Sequence, residues 1–120
     1  MTFHPAMQHA TFAEIEPQVF GRISKRSVAF EGLEGTEVTF HAGASWSADL
    51  GEAAGTELCE LPHVAVVTAG TLGVRMRDGS SREFSAGDAM LLPPGHDAWA
   101  VGDTDCTFVE FSRGNDYYAA

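Results

Sequence analysis

A histidine at a corner of the chain is well placed for chemistry. His96 follows a Pro-Pro-Gly turn at residues 93–95, and a short apolar run at residues 89–92 leads into that turn. Proline and glycine favour a tight turn, and the apolar run is typical of a brief buried strand. An imidazole at such a corner is available as a metal ligand or for proton transfer near neutral pH. Asp97, the next residue, either orients the ring of His96 or caps the turn.

The spacing in this segment resembles the second motif of the cupin family, G-xxxxx-P-x-G-xx-H. Gly87, Pro93 and Gly95 stand in register with that motif. The position of its metal-binding histidine falls on Ala98, so the turn residues are kept while one ligand is missing from its usual place.

The first cupin motif, G-xxxxx-H-x-H-xxx(x)-E-xxxxxx-G, resembles the stretch from Gly51 to Gly70. Its three ligand positions fall on Glu57, Cys59 and His63, so the glycines match and the ligand types differ. The two motifs together are more specific than either alone in a chain with 13 glycines.

The resemblance implies an all-β fold, a double-stranded β-helix (jelly-roll) barrel, with the ligand positions pointing into one end of its cavity. Glu57, Cys59 and His63 then offer a carboxylate, a thiolate and an imidazole. His96 has the same strand parity as the vacant ligand position and would reach across as a fourth ligand. A thiolate in this set favours a divalent zinc ion. In the family a turn separates the last two ligands of the first motif, and residues 60–62 would supply it.

Each of the four residues also has a structural interpretation that involves no metal. Cys59 would be a small buried hydrophobe, and His63 would fill the barrel mouth through hydrogen bonds. His96 would cap the turn or face solvent, and Glu57 would be solvated at the rim. Both interpretations remain open at the level of the sequence.

Turn residues divide the chain from Gly21 onward into short segments rich in Val, Phe, Leu and Thr, as in all-β folds. Residues 1–20 show no sustained periodicity and are predicted to form a short irregular N-terminal arm, with a helical turn within residues 6–15 or a contact with a partner subunit. Residues 21–120 form the predicted cupin-like β-barrel domain. We predict strands at residues 24–31, 37–41, 45–49, 57–61, 63–68, 71–77, 81–85, 89–92, 97–101 and 106–112.

Two of these segments carry a more detailed prediction. Leu72, Val74 and Met76 alternate with polar or small residues, which indicates a half-buried strand, and Asp-Gly at residues 78–79 predicts the following hairpin turn. The continuous apolar run at residues 64–68 predicts a strand that is covered on both faces.

The acidic composition limits the choice of partners. The chain has 7 Lys and Arg against 17 Asp and Glu, a formal net charge of -10, which disfavours nucleic acid and anionic membrane surfaces. The sequence contains neither a membrane-length apolar run nor a signal-peptide pattern, so we expect a cytoplasmic protein. Cys59 and Cys106 are too few for a secreted disulfide framework and are expected to be reduced thiols.

The sequence favours a single-domain cupin-like protein with a metal or small-molecule site in the barrel, acting as a binding or sensing module. The alternative is a zinc-type isomerase, lyase or dioxygenase that acts on a small metabolite. A cavity filled by its own side chains would leave only a structural role. Sheet edges and the N-terminal arm also predict a homodimer, because pairing would cover both.

Overall fold

Two antiparallel sheets make up most of the protein in a computed structural model, which describes residues 6–112. The strands are β1 (Gln18–Phe20), β2 (Ile23–Phe30), β3 (Leu33–Phe40), β4 (His63–Ala69), β5 (Thr71–Met76), β6 (Ser81–Ser85), β7 (Ala89–Leu92), β8 (His96–Ala100) and β9 (Cys106–Ser112). The larger sheet has the order β1-β2-β3-β9-β4-β7, and the smaller has the order β6-β5-β8. The predicted all-β barrel architecture is confirmed.

The hydrophobic core takes side chains from both sheets. In β5, Leu72 and Val74 are buried while Arg75 is exposed, as the predicted alternation requires. Gly73, on the other face, is also buried, because it lies against the indole of Trp99. On the larger sheet the rings of Phe40 and Phe108 pack with their centroids 6.0 Å apart. The inward positions are therefore mostly apolar, and a polar side chain at one of them needs a specific partner.

Two glycines of the predicted turns are required by the backbone. Gly79 has a φ of +90° in the hairpin between β5 and β6, and its N–H bonds the carbonyl of Met76, as the Asp-Gly pair predicts. Gly70 has a φ of +71°, and a Cβ at this position would collide with the carbonyl oxygen of Asp105. The glycine that ends the first motif thus allows two loops to approach closely.

The predicted strand at residues 45–49 is wrong, because this segment forms α1 (Trp46–Asp49), which leads into α2 (Gly51–Ala54). Ser45 caps α1: its Oγ accepts a hydrogen bond from the N–H of Ala48 at 3.2 Å. Each helix has only four residues, too few to give a helical period in the sequence.

Two further predictions about strands need correction. Residues 57–61 do not form a strand, and only Cys59 makes a bridge, to His96. The run at residues 64–68 lies in β4 but is covered on one face only, since Val64 and Val66 are 42% and 44% exposed. An uninterrupted apolar run cannot by itself distinguish a doubly covered strand from one with an apolar outer face.

The predicted N-terminal arm is partly joined to the larger sheet. A 3-10 turn forms at Phe12–Glu14. It lies within residues 6–15, where a helical turn or a contact with a partner subunit was predicted. The last three residues of the arm form β1, which pairs with β2. The arm's residues 1–5, and the barrel domain's residues 113–120, lie outside the described residues.

Candidate metal and ligand site

Cys59 and His63 lie on either side of the turn that leads into β4. The turn brings the Sγ of Cys59 to 3.3 Å from the Nε2 of His63, and Cys59 is only 3% exposed. The fold-back that was predicted for residues 60–62 is therefore present. A straight strand would hold these two side chains about 13 Å apart, from a rise of about 3.3 Å per residue.

His96 joins this pair from β8, on the opposite sheet. The N–H of Cys59 donates to the carbonyl of His96 at 2.8 Å, which fixes the two residues side by side. The ring of His96 is 2% exposed and packs edge-on to the ring of His63, with 5.2 Å between centroids. Its Nδ1–H donates to the carbonyl of Pro93 at 2.7 Å, so the Pro-Pro-Gly turn orients the ring.

Glu110 is a member of the site that the sequence analysis did not single out. It lies on β9, and its carboxylate accepts a hydrogen bond from the Nδ1–H of His63. Both side chains are largely buried, at 15% and 17% exposed. The available clue in the sequence was that Glu110 has the strand parity of Phe108, which places a carboxylate at an inward position of the last strand.

The polar contacts shift two pKa values in opposite directions. Burial alone would raise the pKa of Cys59, but hydrogen bonds from His63 and His96 lower it to about 6. Burial alone would lower the pKa of His63, but its bonds to Cys59 and Glu110 raise it to about 9. Cys106, which lacks such partners, has its pKa raised to about 11 by burial. Both shifts favour a Cys59 thiolate paired with a His63 imidazolium in the metal-free protein.

Two acidic residues predicted near the site lie elsewhere. Glu57 is exposed and lines a separate surface groove that includes Ser47 and Gly51, so the structure does not bring it to the cluster. Asp97 does not orient His96, because its carboxylate accepts hydrogen bonds from the N–H and Oγ of Ser47 at 3.0 and 2.9 Å. Asp97 instead anchors the start of α1 to β8.

The donor set of Cys59, His63 and His96 fits a single zinc ion. One ligand atom from each residue lies within 4.8 Å of the others, against about 3.5 Å between donors on a tetrahedral zinc ion. Both histidines donate a hydrogen bond from Nδ1, one to Glu110 and one to Pro93, which reserves Nε2 as the ligand atom. Zinc binding would release the Nε2 proton that His63 shares with Cys59. Such outer partners are a regular feature of metal-ligating histidines.

A cavity of about 390 Å³ adjoins the cluster inside the barrel. Its size is at the lower end of the range for small-molecule sites. The walls are mainly apolar and aromatic, and the polar lining comes from few residues. The side chains that line the cavity include Lys25, Phe40, Trp46, Glu60, Phe108 and Glu110.

Solved structures share this fold at low sequence identity. An RmlC-like cupin from Shewanella frigidimarina superposes with a TM-score of 0.62 at 18% identity, over 88% of this chain and 89% of that one. KdgF from a Halomonas species gives 0.61 at 27% identity, over 87% and 93%. The polyketide cyclase RemF from Streptomyces resistomycificus gives 0.67 at 17% identity, over 88% and 78%. The chain therefore has the cupin fold.

Sequence comparisons add no closer relative. No protein-family model matches the chain, and no curated protein matches it either. Among the described residues, no helix has the length and apolar character of a membrane span.

Proposed function

We propose that this cupin domain binds one zinc ion through Cys59, His63 and His96 and a small molecule in the adjoining cavity. The observation that carries the proposal is the hydrogen bond on each histidine Nδ1, which fixes both rings and leaves both Nε2 atoms next to the Cys59 thiolate. Zinc is the ion of choice because thiolate and imidazole donors suit a borderline-soft cation. Glu57 is not part of this proposal.

The experiment is elemental analysis of the protein after reconstitution with zinc and removal of excess metal. We expect one zinc ion per chain, and loss of that ion in Cys59→Ala and in His63→Ala. Cys106→Ala is the matched control, since Cys106 is also buried but burial alone shifts its pKa, without the histidine hydrogen bonds of Cys59, and it should retain zinc. Zinc retained in the double variant Cys59→Ala/His63→Ala would refute the site.

The role as a binding or sensing module rests on the cavity, whose apolar walls can exclude water from a bound molecule. A specific feature also supports the alternative of a zinc-dependent enzyme. Within the part of the chain that the structure describes, three donors converge beside the cavity, and catalytic zinc sites have three protein ligands and one open position. When bound there, zinc would supply Lewis-acid chemistry. Turnover of a ligand that stabilises the zinc-loaded protein against heat would favour the enzyme, and stabilisation without turnover would favour the binding module.

We propose a second copy of the chain as the partner of the outer face of the larger sheet. Val64, Val66 and Leu91 are 42%, 44% and 56% exposed on neighbouring strands, and Val64 lies opposite Leu91 in the register. An apolar patch on this face suits self-association of a chain with a net charge of -10. Light scattering should show a dimer that Leu91→Lys dissociates. The control is Leu33→Lys, which should leave the dimer intact because Leu33 lies at the end of the hairpin of β2 and β3.

The cytoplasmic location that the sequence suggests stays a prediction.

A further inference from the structure

Lys25 is the sole lysine of the chain, and its side chain lines the cavity. It lies on β2 opposite Val38, a buried residue of the core. Its neighbour Arg26 has the opposite parity and pairs with Glu37. Lys25 is thus directed to the interior of an acidic protein, although burying part of a lysine has an energetic cost.

No carboxylate within residues 6–112 forms an ion pair with Lys25. Its Nζ lies 5.8 Å from the ring centroid of Phe20, a contact that leaves its hydrogen-bond donors available. Among the described residues, two carboxylates line the cavity and both have other partners, since Glu60 pairs with Arg77 at 2.6 Å and Glu110 pairs with His63. Within residues 6–112, Lys25 is therefore a cation of the cavity lining that has no carboxylate partner.

The proposed zinc site adds to this positive charge. His63 and His96 are neutral when they bind zinc through Nε2. A divalent ion and Lys25 then contribute three positive charges, while the Cys59 thiolate and the Glu110 carboxylate contribute two negative ones. Glu60 is neutralised by Arg77. One positive charge remains, which a ligand with a single negative charge would balance. The walls around it, including Phe40, Trp46 and Phe108, suit an apolar or aromatic body.

We infer that the cavity takes a small monocarboxylate with an apolar or aromatic body, and that Lys25 binds its carboxylate. This inference rests on the proposed function, because the charge balance includes the zinc ion. Lys25 would select the anion over a neutral ligand of the same shape, through a charge-assisted hydrogen bond. The apolar walls would supply most of the affinity for the body of the ligand.

The test compares benzoate with benzamide, which have the same shape and differ in charge. Calorimetric titration of the zinc-loaded protein should give tighter binding of benzoate. Lys25→Gln should weaken benzoate binding roughly tenfold to hundredfold and leave benzamide binding unchanged. Arg26→Gln is the matched control, because it removes one positive charge from the next residue on the outer face. It should bind both ligands as the parent does.

A second readout uses the fact that Lys25 is the sole lysine. Reductive methylation with a carbon-13 label marks its side chain, and the single lysine signal in the NMR spectrum should shift with benzoate and not with benzamide. Equal affinity for the two ligands, no binding of either, or benzoate binding that is equal in Lys25→Gln and Arg26→Gln would overturn the inference. Zinc content is measured on the same samples. Protein that holds zinc but shows no preference for the carboxylate refutes this inference alone. Protein that does not hold zinc refutes the proposed function, and the charge balance with it.

Discussion

Glu110 should control zinc affinity although it is not a proposed ligand. Its carboxylate accepts the Nδ1–H of His63 in a largely buried contact, and it thereby fixes the ring with Nε2 next to Cys59. Removing such an outer partner from a metal-bound histidine weakens affinity roughly 10- to 100-fold, or about 1.4–2.8 kcal/mol. Glu110→Ala loses both the charge and the acceptor, so it should lie at the upper end. Glu110→Gln keeps an acceptor oxygen and should lie at the lower end.

The assay is competition for zinc against a chromophoric chelator at fixed pH and salt. Glu37→Gln is a suitable control, since Glu37 lies on the neighbouring strand and pairs with Arg26 outside the cavity. Zinc affinity should increase in the order Glu110→Ala, Glu110→Gln, Glu37→Gln. If Glu110→Ala is folded, as judged by its circular dichroism, and binds zinc as tightly as Glu37→Gln does, Glu110 does not position His63.

Two other predictions concern the thiols and the sheet packing. In metal-free protein, the thiolate absorbance should rise in two separate steps, near pH 6 for Cys59 and near pH 11 for Cys106, and Cys59→Ala should remove only the first. Zinc must displace the Nε2 proton of His63, whose pKa is about 9, and it needs the thiolate of Cys59, whose pKa is about 6. Zinc affinity should therefore fall as the pH drops below 9 and fall more steeply below 6; an affinity that is unchanged between pH 9 and pH 5 would contradict this. Gly73→Ala should lower the free energy of unfolding in urea by about 1–3 kcal/mol, because a Cβ there would collide with the indole of Trp99. An unchanged midpoint would show that the indole moves away freely.

Strands were predicted best from the sequence where the two faces of a strand differ from each other in polarity. The alternation of Leu72 and Val74 with Arg75 follows directly from the period of a strand, and the structure confirms it. The uniform run that includes Val64 and Val66 contains no such contrast, so its exposed face could not be recognised. The turn at Ser45 was misassigned because one helical turn has no measurable period.

The candidate site was predictable only in part, and mainly from the resemblance to cupins. Cys59, His63 and His96 are close in space because two motifs far apart in sequence meet across the two sheets. Glu57 occupies a ligand position of the motif, yet it is exposed on the segment before Cys59, which forms no strand. The contact between His63 and Glu110 joins strands far apart in sequence, and local patterns carry no information about such pairing.

The central claim is that Cys59, His63 and His96 hold one zinc ion, and a crystal structure of the zinc-loaded protein tests it most directly. Anomalous scattering at the zinc edge should show one peak per chain, in contact with the Sγ of Cys59 and the Nε2 atoms of both histidines. The hydrogen bonds from each Nδ1 to Glu110 and Pro93 should persist. A zinc-loaded crystal with no peak at this position, or with the peak bound to other residues, would contradict the account.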